Sequence, residues 1–69
     1  MTQKELSYVE DAIAHETNII KICEETVQNI EDEEIVSFLE NHIQNHISIK
    51  QNLLNLLEEK SNEWSIING

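Results

Sequence analysis

Glu16, His42 and His46 are the residues whose types and spacing could do chemistry. His42 and His46 sit four residues apart, so on a helix they share one face. Glu16 is the one polar residue in an otherwise apolar helical series. If the chain turns back near Glu31 and Asp32, antiparallel pairing sets Glu16 level with His46, with His15 beside it and His42 one turn away. Carboxylate oxygens and neutral imidazole nitrogens together suit iron, manganese or zinc, so Glu16, His42 and His46 are candidate metal ligands. The simpler expectation needs no cofactor: Glu16 and His46 form a buried hydrogen bond or ion pair that sets the register of the helices. His15 then lies at the margin, and Cys23 falls in the apolar seam, where a thiol packs as a small hydrophobe. No Ser/His/Asp order, phosphate-cradling glycine loop or zinc-protease spacing occurs, which argues against hydrolase and nucleotide-binding activity. The acidic run at Glu31–Glu34 lacks the twelve-residue ligand pattern and central glycine of a calcium-binding EF-hand.

Two helices must position these residues. Thr2-Gln3-Lys4-Glu5 has the form of a capping box and starts the first, expected over about 3–29. Leu6, Val9, Ile13, Glu16, Ile20, Cys23, Val27 and Ile30 follow steps of three and four along one face, with Ala12, Ile19 and Ile22 widening it. Lys4, Ser7, Asp11, Asn18, Lys21, Glu25 and Gln28 fall opposite. Glu31-Asp32-Glu33-Glu34 reads as a turn followed by a helix start, with Asp32 able to cap and the glutamates favoured by the helix dipole. The second helix, expected over about 33–60, carries Ile35, Leu39, His42, His46, Ile49, Leu53 and Leu56, flanked by Val36, Ile43, Ile47, Leu54 and Leu57. Between Asn41 and Leu57 its only formally charged residue is Lys50, and such a neutral surface tolerates close contact. A short tail, 61–69, holds Trp64, Ile66 and Ile67. There is no proline, and the only glycine is Gly69, so the hydrophobic pattern alone locates the turn.

The expected architecture is therefore all-α: one antiparallel hairpin of two helices, each about 37 Å long at 1.5 Å per residue. At 69 residues the chain is a single domain, and chains this short bury a smaller share of their surface than larger ones. Cys23 is the only cysteine, so an internal disulfide cannot supplement the core, which leaves oligomerisation or a metal. One hairpin cannot cover two broad apolar faces. A second hairpin would, giving a four-helix bundle; the expected partner is another copy in a twofold homodimer, or else a related hairpin. Ile13, Ile19, Ile20, Leu39, Ile49, Leu53 and Leu56 are the expected interface residues. A net charge of −10 with four lysines and no arginine opposes phosphate-backbone binding, so no nucleic-acid partner is expected. The amino terminus has neither the basic start nor the apolar run of a signal peptide, and the lone thiol suits a reducing compartment, so a cytoplasmic protein without membrane insertion is expected. The excess of Ile and Asn over Val, Ala and Arg points towards an A/T-rich, bacterial genome.

From Leu6 to Leu57 the chain resembles the ferritin-like superfamily and, within it, the short spore coat protein F-like proteins of spore-forming Firmicutes. The stretches that carry the resemblance are Glu10-Asp11-Ala12, His15-Glu16, the acidic turn at Asp32-Glu33-Glu34, and His42 and His46 ahead of Leu53-Leu54. The resemblance implies a ferritin-like bundle with a structural or assembly role, located in the cytoplasm or a spore coat. Metal-binding members of the superfamily place a glutamate three residues before a histidine. Here Leu39 precedes His42 and Ile43 precedes His46 at that spacing, leaving Glu16 as the only carboxylate carried over. A third expectation, ranked last, is a regulatory hairpin similar to the small aspartyl-phosphate phosphatases of the sporulation relay; Thr2-Gln3-Lys4-Glu5-Leu6 only loosely echoes their Ser-Gln-Glu-Leu-Asp signature.

Overall fold

The computed structural model describes the backbone of residues 1–68 and the side chains of residues 1–60. Two helices, α1 (Gln3–Val27) and α2 (Glu33–Asn68), pack against each other as a hairpin, and no strand occurs among the described residues.

The start of α1 is fixed by the expected capping box. The Thr2 hydroxyl accepts from the Glu5 backbone N–H at 3.0 Å, and Glu5 Oε1 accepts from the Thr2 backbone N–H at 2.8 Å. Two backbone donors that a helix start would leave open are thereby satisfied. The Thr2 backbone N–H, and after it the Thr2 hydroxyl, hold the Glu5 carboxyl below its ordinary range.

α1 ends without a glycine and without any residue in the left-handed region. Instead the last turn tightens, with the N–H of Asn29 donating to the carbonyl of Thr26 at 3.0 Å. The Asn29 side-chain amide donates to the Glu25 carbonyl at 2.8 Å, so one of the carbonyls left open at the helix end finds a partner. Asp32 caps α2: its Oδ1 accepts from the N–H groups of Glu34 at 2.9 Å and Ile35 at 3.2 Å. Glu33 and Glu34 occupy the first turn, where the positive end of the dipole favours them.

α2 continues to Asn68, past the end expected near Lys60. Nothing between Lys60 and Asn68 opposes a helix, since neither proline nor glycine intervenes. The side chains of Trp64, Ile66 and Ile67 lie outside the described residues.

The seam of α1 is the expected one: Leu6, Val9, Ile13, Glu16, Ile20, Cys23, Val27 and Ile30 are all half-buried. On α2 the seam is turned from the expected stripe. Val36, Leu39, Ile43, His46, Lys50, Leu53, Leu57 and Lys60 face α1, whereas Ile35, Ile49 and Leu56 are exposed. Ile43, expected only as a flanking residue, is the most enclosed side chain described, at 9% exposure. α2 has apolar residues at adjacent positions along much of its length, so it offers more apolar surface than one neighbouring helix can cover. The helices lie side by side in a single layer, with extents of 53 × 16 × 12 Å.

Candidate functional site

Halfway along the hairpin, His46 Nδ1 and Glu16 Oε2 are in direct hydrogen-bonded contact across the seam. An ionised carboxylate only accepts, so the imidazole presents N–H at Nδ1 and donates. The two side chains are 17% and 14% exposed, screened from solvent by the apolar turns above and below. The contact lies where residue 16 of α1 stands level with residue 46 of α2.

His42 lies one turn from His46, its ring edge-on at 4.4 Å between centroids. On its other side it stacks over Phe38 at 6.1 Å with the planes 10° apart. His46 thus touches Glu16 across the seam and His42 along α2, while His42 lies on the flank. His15, on α1, is exposed. Among the described residues, no group of three or more His, Cys, Asp or Glu side chains is arranged to hold a metal ion. Cys23 is a free, half-buried thiol in the seam, and no described helix is long and apolar enough to cross a membrane.

The second feature is a surface. Residues flanking the seam fall on the two broad sides of the single layer, and antiparallel helices bring like flanks to the same side. One side collects Tyr8 and Ile22 from α1 with Ile35, Phe38, Ile49 and Leu56 from α2, all exposed. Phe38 is 68% exposed, Tyr8 61% and Ile22 52%, values high for side chains of that size. Between them lie Ala12 and Ile19, half-buried, and the polar but formally uncharged Thr26, Asn45 and Asn52 with His15 and His42. From Tyr8 to Thr26 and from Ile35 to Leu56, these flanking positions hold no Asp, Glu, Lys or Arg.

The other broad side is different in kind. It carries Glu10, Lys21 and Glu24 on α1 and Glu40 on α2, among serines, threonine and glutamines; Ile47 and Leu54 are its exposed large hydrophobics. Over that span the hairpin has one apolar, formally uncharged side and one charged side, with Glu5 and Glu59 flanking the former at the open end.

Of the expected interface residues, Ile13, Ile20, Leu39 and Leu53 are engaged in the seam within the hairpin, whereas Ile19, Ile49 and Leu56 lie on the apolar side. Phe38 was not among the residues singled out by spacing, although it is the most exposed large hydrophobic described. Its signal was available: once the α2 seam is set by Ile43 and His46, Phe38 falls one turn before His42 on the same flank. No family model, curated protein or solved structure matches this chain.

Proposed function

We propose that the chain is a noncatalytic assembly module whose hairpin pairs with a second copy through its apolar side, completing a four-helix bundle. The observation that carries this reading is the single-layer architecture with one open side that is apolar and formally uncharged. Stable domains bury their apolar faces between packed layers, and a second copy of the hairpin would supply the layer that the described residues lack. Surface area supports the same reading. A folded monomer of 8.0 kDa is expected to expose about 4450 Å², whereas this hairpin exposes 5480 Å². The excess, about 1000 Å², is close to the roughly 800 Å² per partner of a standard-sized interface. A second copy is the economical occupant, because twofold pairs place identical apolar sides against each other and are the commonest oligomers.

Native mass spectrometry and sedimentation equilibrium test the reading. Twice the 8.0 kDa chain mass is expected, and a cooperatively folded monomer at micromolar concentration would refute it. A metal-binding bundle is the second reading, supported by the Glu16–His46 contact and by His42 lying against His46. A dimer retaining stoichiometric iron, manganese or zinc, lost in His46→Ala, would carry that reading instead. The coat-protein resemblance contributes the same general role and adds no residue to the argument.

A further inference from the structure

We infer that the two copies pack antiparallel, the acidic turn of each against the open end of the other. This rests on the self-pairing reading and specifies its geometry. Two twofold arrangements would cover the apolar side equally well: one axis runs along the bundle and sets turn beside turn, the other crosses it and sets turn beside open end.

Formal charge separates them. The half of the hairpin from Glu16 to His46, which contains the turn, holds eight acidic residues and one lysine, a net −7; the remaining residues carry a net −3. Parallel packing brings the two −7 halves together and places both Glu31–Glu34 runs at one end of the bundle. Charges on facing turns would lie within about a Debye length, 8–10 Å at physiological salt, where repulsion is only partly screened. Antiparallel packing puts each −7 half against a −3 half.

Lys4 adds a specific match. Its ammonium lies 6.0 Å from the centroid of the Tyr8 ring, at the open-end corner of the apolar side. The apolar side runs from Tyr8 and Leu56 to Ile35, and its midpoint lies near Ile19 and Asn45. With the twofold axis at that midpoint, Lys4 comes to the height of the second copy's Glu31. Tyr8 and Leu56 likewise meet Ile22, Ile35 and Phe38 of the second copy, so apolar contacts extend along the bundle.

The orientation is read from one intermolecular distance. In a Cys23→Ser background, Asn29→Cys at the turn carries a nitroxide label, and dipolar electron spin resonance is recorded on a sample whose mass is measured by sedimentation. A dimer with labels about 35 Å apart, from 1.5 Å per residue measured through the midpoint, is the expected result. A dimer with labels closer than about 20 Å at the shared end would overturn the antiparallel arrangement and leave self-pairing intact. A monomer would overturn both. An independent check exchanges charges: Lys4→Glu is expected to weaken the dimer about two- to five-fold, and adding Glu31→Lys to restore it. No restoration would contradict the pairing of those two heights.

Discussion

Glu16 and His46 are polar residues inside a seam that would pack more simply if both were apolar. Their contact stands on two satisfied groups, not on burial of charge for its own sake, because an unmatched polar side chain in the seam is costly whereas a matched pair is close to neutral. Two outcomes follow. His46→Ala or Glu16→Ala should lower unfolding free energy by about 1–2 kcal/mol, since each strands a partly buried partner. The double replacement Glu16→Leu/His46→Leu should come within about 1 kcal/mol of the parent or exceed it. Urea denaturation at fixed protein concentration measures both, the concentration being held because assembly contributes to apparent stability. A double variant as unstable as the singles would show that the pair does more than satisfy itself.

Glu5 supplies the pH dependence at the same scale. Its carboxyl is held below its ordinary range by the donors of Thr2, so the folded form binds the proton less readily than the unfolded chain. The stabilisation is therefore present above the ordinary glutamate range and lost as pH falls through the lowered value. Acid titration followed by amide chemical shifts of residues 3–8 should show the start of α1 loosening in that window. Glu5→Gln should remove the pH dependence at this end of the helix.

At the scale of elements, the turn is closed by side chains and not by glycine. Asp32 alone accepts from two N–H groups of α2, and it stands at the positive end of the helix dipole. Asp32→Ala should cost about 1 kcal/mol, and Asp32→Asn only a few tenths, by thermal or urea unfolding. Both helix starts were legible in the sequence, because a cap is a local pattern of a few residues whose partners are their own neighbours. The seam of α1 was equally legible, since its apolar residues form one run interrupted only by Glu16. The seam of α2 was not. Ile35-Val36, His42-Ile43, Ile49-Lys50 and Leu56-Leu57 offer two stripes one position apart, and spacing favours the one that leaves Lys50 out. The fold takes the other. Lys50 is half-buried there, an arrangement a lysine tolerates because its apolar stem can lie along a seam while the ammonium reaches water.

For the whole molecule, the unequal broad sides lead to a paired test. Phe38→Glu places a charge on the turn half of the apolar side and should weaken self-association by about 10- to 150-fold, the equivalent of the 1.5–3 kcal/mol of burying one large side chain. Ile47→Glu introduces the same charge on the other broad side and should leave the dimer mass unchanged in sedimentation. Equal effects of the two substitutions would mean that the assembly surface is not the side bearing Phe38, Tyr8 and Ile49. Because the chain carries −10, association should also tighten as salt rises from low ionic strength, the opposite of a complex held by opposite charges.

The sequence by itself determined what depends on short spacing: two helices, their caps, the acidic turn, the α1 seam and the meeting of Glu16 with His46. Helix periodicity and capping are encoded within a few residues, and one turn position suffices to align the two halves of a hairpin. Tertiary structure decided which of two adjacent apolar stripes on α2 meets α1, because that choice depends on how both helices pack along their whole length. It thereby decided which side chains remained outside. Ile43 moved from flank to core, Ile49 and Leu56 from stripe to surface, and Phe38 came to lie on the same broad side as Tyr8 and Ile22, uncovered by α1. A pattern along one helix marks residues as apolar; only the partner helix, by covering some of them, defines the surface that remains.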